Sequence, residues 1–280
     1  MTLRSGMIAL VLLVAGATFS AGAALAAETE TPPRQKWSFA GPFGIYDRGQ
    51  LQRGFKVYRE SCAVCHGLTL LSFRNLAEPG GPGFSAAQAA AVAAEYKISD
   101  GPNDQGEMFE RPGRLADHFP PPFANDQVAR LANNGVLPPD FSVIAKARTY
   151  ERGFPWFIFD MFTQYQEQGV DYIVALMKGY EDAPAGVTLP PGTSFDKYFP
   201  GNAIGMPKPL SDGQVSYTDG APQTLDQYAK DVAAFLMWAA EPHLEARKRI
   251  GFQVIIFLVV LAGLLYFTKK KVWSAVEGSA

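Results

Sequence analysis

The chain contains only two cysteines in 280 residues, and both fall in one run, Cys62-Ala63-Val64-Cys65-His66. C-x-x-C-H is the attachment pattern of a c-type haem. Two intervening residues let both thiols reach the vinyl edge of a porphyrin from one turn of chain, and the next side chain then points at the iron. Other uses of the pair fit poorly. A Cys62–Cys65 disulfide closes too short a loop to act as a staple. A thioredoxin-like redox pair needs a βαβ pattern around it, and none is visible. Tetrahedral zinc needs four N or S ligands, and the remaining histidines, His118 and His243, lie far from the motif and from each other.

Two apolar runs set the topology. Arg4 and the apolar stretch Met7–Phe19, followed by Ala24-Leu25-Ala26, form a secretory signal over residues 1–26. The stretch is too short and too rich in Ala and Gly for a membrane span. Export agrees with the haem motif, because covalent haem attachment takes place outside the bacterial cytoplasm. The second run, Ile250–Thr268, holds no charge, and its 19 residues cross a ~30 Å hydrocarbon core as a helix. Arg247, Lys248 and Arg249 precede it and Lys269, Lys270 and Lys271 follow, so charge flanks alone leave its direction open. The export signal decides it: residues 27–249 form an exported haem domain, 250–268 a transmembrane anchor, and 269–280 a cytoplasmic tail. Tyr266 and Trp273 suit the membrane boundary.

Of 25 basic residues, Arg4 and three C-terminal lysines lie outside residues 27–249, and of 27 acidic residues only Glu277 does, so that stretch carries a net charge near −5. Mild acidity speaks against nucleic acid as a partner and for steering a basic one. Frequent Pro and Gly, 21 and 27 residues, predict a loop-rich domain with short helices. Helical spacing is expected over Asp47–Glu60, which leads into the haem motif, over Ser85–Tyr96 with Ser85 as N-cap, and over Asp126–Asn133, Asp140–Tyr150 and Val170–Tyr180. Thr224 caps a last soluble helix over Leu225–Ala240, which a kink at Pro242 joins to the anchor. Residues 98–123 and 184–209 read as loop, and no strand alternation is sustained. The fold class is mainly α, a cytochrome c-like domain with one C-terminal transmembrane helix, and a haem is expected to supply apolar area for its core.

Candidates for a second axial ligand are His118, His243 and the methionines at 108, 161, 177, 206 and 237. Met177 and Met237 fall on apolar helix faces and read as core, the usual role of methionine. Met161 sits among aromatics and reads as packing, and Met108 lies in a polar loop. Met206 stands in the irregular run Ile204-Gly205-Met206-Pro207, where Gly205 and Pro207 constrain the backbone that aims its thioether.

The chain resembles the cytochrome c1 family, the haem-bearing subunits of the cytochrome bc1 complex (ubiquinol–cytochrome c oxidoreductase). The resemblance runs through RGFKVYRESCAVCHGL (53–68), LANNGVLPPDFSVIAKAR (131–148), DYIVALMKGYEDAPAGV (171–187), YFPGNAIGMPKPLSDG (198–213) and AKDVAAFLMWAAEPHLEARKRIGF (229–252). It implies one haem c held by thioethers from Cys62 and Cys65, with His66 the proximal and Met206 the distal iron ligand. It implies that Arg148 and Tyr172 lie near the haem propionates, and that Asn133, Pro138, Pro139, Phe199 and Ile204 line the pocket. Its implied partners are a cytochrome b subunit, a Rieske iron–sulfur protein that donates electrons and a soluble cytochrome c that accepts them, in a dimeric complex of the bacterial inner membrane with the haem domain in the periplasm. Residues 149–169 (TYERGFPWFIFDMFTQYQEQG) look like an aromatic-rich insertion that packs on the domain or touches a partner.

No acid–base or nucleophilic constellation accompanies the motif, so the chain transfers electrons and does no bond chemistry of its own. Three other readings compete: an anchored c-type cytochrome that feeds a terminal oxidase or reductase, a haem sensor with an open sixth position, and an assembly subunit with a redox-inert haem. Co-purifying partners separate the first, and coordination by Met206 opposes the second.

Overall fold

A computed structural model describes residues 29–277, apart from 151 and 164, with side chains to residue 274. The expected signal segment, 1–26, lies outside the described residues.

Helix α1 (Arg48–Val57) starts where the Asp47 carboxylate accepts from the N–H of Gln50 at 3.0 Å. Its Leu51, Gly54, Phe55 and Val57 are buried at helical spacing. The helix then widens over Tyr58–Cys62, where the N–H of Ala63 donates five residues back to the carbonyl of Tyr58. Such wide turns re-aim the side chains that follow, and here they present the haem motif.

Ser85 caps helix α2 (Ala86–Ala94) reciprocally with Gln88, as its position in the sequence predicts. A hairpin not foreseen from the sequence follows: β1 (Lys97–Asp100) pairs antiparallel with β2 (Phe109–Pro112). Neither strand buries an apolar face, so no alternation marks it. The Arg111 guanidinium holds it instead, pairing with Asp100 and, through two nitrogens, with Asp117 at 2.6 and 2.9 Å.

Helices α3 (Asp126–Ala132), α4 (Ile144–Ala147), α5 (Trp156–Thr163) and α6 (Gln168–Lys178) come next. α4 is much shorter than the 140–150 expectation, because residues 138–142 are tied to the haem motif instead. Two residue pairs form a short ladder, β3 (Ser194–Phe195) against β4 (Ala203–Ile204), inside a stretch read as irregular.

Helix α7 (Leu225–Ala240), capped by Thr224, is the centre of the domain. It is buried almost all round and packs on α1, α4 and α6. Phe235 and Trp238 pack with their rings tilted by 36°, and Phe235 meets Phe55 and Tyr58. Phe73 and Phe119 extend the cluster, with ring centroids 4.2 Å apart. The core is an aromatic cluster of the chain's own side chains. On the same helix the buried Asp231 accepts from Arg53, Tyr217 and Gln227, so its charge is paired and its lone pairs are used.

Pro242 interrupts the helix, and α8 (Leu244–Glu277) restarts after it. The joint is braced: the Tyr46 hydroxyl donates towards the carbonyls of Met237 and Glu241, its N–H donates to Glu245, and Lys146 and Arg247 both pair with Glu241. At ~1.5 Å per residue α8 runs ~50 Å. Among the described residues it is the one helix long and apolar enough to cross a membrane, and its span lies outside the packed domain.

Candidate haem site

Cys62 and Cys65 share one tight turn and form no disulfide, and in that turn the N–H groups of Cys65 and His66 donate to the carbonyl of Cys62 at 3.1 and 2.9 Å. Burial pushes the Cys62 thiol up to about 12. His66 is buried, and its Nδ1 lies 2.7 Å from the carbonyl oxygen of Pro139. A carbonyl can only accept, so Nδ1 carries the proton and Nε2 keeps its lone pair, the arrangement a metal-ligating imidazole requires. Burial holds the imidazole below its ordinary pKa and therefore neutral. Phe141 stacks on the ring at 3.9 Å and 14°.

The segment that carries Pro139 and Phe141 is clamped onto the motif. Asp140 accepts from the N–H and hydroxyl of Thr69 at 3.0 and 2.9 Å, and from the N–H of Ser142 at 2.8 Å. Ser142 accepts from the N–H of Leu70, and the N–H of Phe141 donates to Gly67. Burial raises the Asp140 pKa, but the hydrogen bonds from Ser142 and Thr69 outweigh it and keep the carboxylate ionised. A Cβ at Gly67 would lie 2.9 Å from Asp140 Oδ2, so the approach needs glycine. Asp140, Phe141 and Ser142 are positioning residues that the sequence reading did not single out, although they stand in the string Pro-Pro-Asp-Phe-Ser.

The Met206 segment reaches the far end of the same loop. Gly205 sits so close to Val136 that a Cβ would meet its Cγ2 at 2.7 Å. The Tyr180 hydroxyl donates to the carbonyl of Met206 at 3.1 Å, and the Met206 side chain packs on the core while staying partly exposed. Residues 133–141 thus join the His66 support to the Met206 support. Asn133 closes α3 by donating its side-chain N–H to Ala129, and Pro138 is half-buried. Ile204 is buried in β4, and Phe199 is half-buried, its N–H donating to Asp196. Tyr172 is buried, which raises its pKa, as does the negative charge of Asp196; the exposed Arg148 lies near enough to oppose this.

The other candidate ligands lie elsewhere. His118 and His243 are exposed, Met177 and Met237 are buried in the core, and Met108 is exposed beside β2. Met161 is exposed and not packed, which corrects the sequence expectation. Among the described residues no group of three or more His, Cys, Asp or Glu is placed to hold a metal ion by itself. The donor set suits an iron that arrives in a macrocycle: two thiols, one neutral imidazole with a free Nε2, and a thioether on a loop braced to the imidazole's own support.

The cytochrome c1 family model matches residues 37–276. The chain belongs to the cytochrome c1 family. It is 65% identical to the cytochrome b/c1 of Bradyrhizobium diazoefficiens over 95% of its own length, and spans 39% of that longer protein. It is 50% identical to the cytochrome c1 of Blastochloris viridis over 99% of both chains. It is 44% identical to a mitochondrial cytochrome c1 haem protein of Arabidopsis thaliana, over 98% of this chain and 84% of that one. As a cytochrome c1 family member it is an electron-transfer subunit of the bc1 complex, anchored by α8.

In this family member one buried carboxylate supports the loop that leads to Met206. Burial raises Asp196 to about 6, although the N–H groups of Tyr198 and Phe199 donate to Oδ1, and Oδ2 has no partner. A carboxyl with a raised folded-state pKa stabilises fully below its unfolded value near 4 and loses that stabilisation as pH rises through about 6. Asp196→Asn keeps the Oδ1 acceptor and removes the charge. The variant is expected to gain on the order of 2–3 kcal/mol over wild type between pH 4 and pH 7. Denaturant midpoints of both proteins across that range measure it, and a pH-independent difference sinks the assignment.

Proposed function

We propose that Cys62 and Cys65 hold one haem c by thioethers, with His66 and Met206 as its axial ligands, and that the chain relays electrons from a Rieske iron–sulfur protein to a soluble cytochrome c. The observation that carries this reading is the buried His66 ring, whose Nδ1 is committed to Pro139 and whose Nε2 is left for iron. When bound, the haem would supply one-electron chemistry between the iron–sulfur protein and the acceptor. The chain's residues do the rest. Pro139 fixes the imidazole's tautomer, Phe141 its plane, and Asp140 and Ser142 the loop that carries both. Tyr180 and Gly205 fix the backbone from which the Met206 thioether extends. Asn133, Pro138, Phe199 and Ile204 border the site, and Arg148, with Tyr172, offers a guanidinium to the propionates through charge-assisted hydrogen bonds.

Cytochrome b is the membrane partner of this reading, supported by the relative named cytochrome b/c1. Residues 1–26 act as the export signal, 27–249 form the periplasmic haem domain, 250–268 cross a bacterial inner membrane, and 269–280 face the cytoplasm. The assembly is dimeric. The test is purification of the complex through a tag on this chain. The expected result is a haem that stays on this chain after denaturation, and that quinol reduces only while the iron–sulfur subunit is present. A haem that dissociates on denaturation, or whose reduction by quinol is indifferent to that subunit, overturns the reading.

A further inference from the structure

Helix α5 is built inside out. Its one charged residue, Asp160, is its one buried residue, paired with Arg152. The Arg152 guanidinium in turn lies 5.1 Å from the ring centres of Trp156 and Tyr165. Turned outward are Phe157, Phe159, Met161 and Phe162, with Phe154 just before the helix; Phe154 and Phe162 are 81% and 79% exposed. A chain in water buries such rings and exposes the carboxylate, and a contiguous outward apolar patch of this kind marks a surface that meets something other than water.

The helix sits where the anchor enters the membrane. Phe157 and Met161 line one cleft with Arg247, three residues or ~4.5 Å before the start of the uncharged run at Ile250. At the same level the N-terminal loop reaches the anchor. The Lys248 ammonium donates to the carbonyls of Phe39 and Gly44, and Phe43 sets its ring edge-on to Phe252, inside the uncharged run. Phe43 and Ile45 are also exposed.

We propose that α5 is a second membrane contact, an interfacial helix whose aromatic face lies in the boundary between headgroups and acyl chains of the bilayer that α8 crosses. Three observations select lipid over a protein partner. Arg247 places the helix at headgroup depth, and beyond Arg247, paired with Glu241, and Lys248, held by Phe39 and Gly44, the exposed Arg249 stands where lipid phosphates do. The outward face is aromatic, the composition of a membrane-interface belt. The side chains of Phe157, Phe159, Met161 and Phe162 also offer no N–H or O–H group, and the Thr163 hydroxyl is spent on its own helix at Phe159, whereas a specific protein interface carries about one hydrogen bond per 100–200 Å². The physical role is to fix the domain's tilt on the bilayer, which a single tether leaves free. Nothing in this proposal depends on the identity of the haem ligands.

The test is made in membranes that carry the assembled complex, with Phe159 or Phe162 replaced by photoreactive p-benzoylphenylalanine and the haem spectrum used to confirm folding. After irradiation and purification, the peptide bearing the label is weighed. A mass gain of one phospholipid at both positions is expected. A cross-link to another polypeptide overturns the proposal in favour of a protein contact, and recovery of the unmodified peptide at both positions overturns it in favour of water.

Discussion

Met206→Leu is expected to leave the haem covalently attached while lowering its reduction potential on the order of 0.2 V, within the ~0.8 V that axial ligands span. The thioether is a weak donor to ferric iron, so its coordination favours the ferrous state, and leucine removes that preference at nearly equal volume. The backbone is held independently of the side chain. Tyr180 donates to the Met206 carbonyl, and Gly205 lies against Val136, so the loop is expected to keep its place. The variant should lose the methionine-to-ferric-iron charge-transfer band, bind carbon monoxide and cease to pass electrons to a high-potential acceptor. Met177→Leu and Met237→Leu, both in the core, should change none of these. A variant that retains the band has another methionine on the iron, whereas a wild type that lacks the band and binds carbon monoxide overturns Met206 ligation and returns the sensor reading, and ligation by His118, to consideration.

Gly54→Ala is expected to be the most damaging methyl group that can be added to the domain's central helix pair. A Cβ there would stand 2.0 Å from the carbonyl oxygen of Asp231 and 2.6 Å from Phe235 Cβ, where ordinary contacts begin at about 3.4 Å. Both obstacles belong to α7, one of them to its backbone, so the helices must part rather than a side chain turn aside. Parting them loosens the Phe55–Phe235 contact and the Arg53–Asp231 pair together. Overpacking typically costs 1–3 kcal/mol, and this site belongs at or above the top of that range. For a domain of this size the loss lowers Tm by roughly 6–12 °C. The yield of haem-loaded chain should fall with it, because α1 delivers the haem motif. Gly49→Ala, on the exposed side of the same helix, is the contrast: its Cβ meets nothing closer than 3.4 Å, so the better helix former should be neutral or stabilising by up to about 1 kcal/mol. Thermal melts of the two variants decide the matter, and equal melting temperatures would show that the helices are not locked at Gly54.

The features legible in the sequence are those whose causes are local. Ser85 and Gln88 cap α2 within three residues of each other, and Thr224 begins α7 in the same way. Pro242 ends α7 and the uncharged run after it makes an anchor, because backbone chemistry and hydropathy need no distant partner. The haem motif is local for the same reason: two thiols and an imidazole must share one turn. The β1–β2 hairpin was not legible, since its support is the fork of Arg111 onto Asp100 and Asp117 and not an apolar face. The orientation of residues 149–169 was hidden too. The aromatic content is plain in the sequence, but only the fold turns Asp160 inward and the rings outward.

By itself, then, the sequence determined the C-x-x-C-H motif, the anchor, the mainly helical class and the family, all of which rest on short spacings or on long uninterrupted composition. The tertiary structure decided what holds the site in shape. It places Asp140 and Ser142 on the backbone of residues 67–70, about 70 positions earlier, and turns the Pro139 carbonyl onto His66 Nδ1. It also brings Gly205 against Val136, so that one loop supports both ends of the candidate ligand set. These pairings depend on which segments the α1–α7 core brings side by side, and contacts set by packing across such separations leave no period or spacing in the chain.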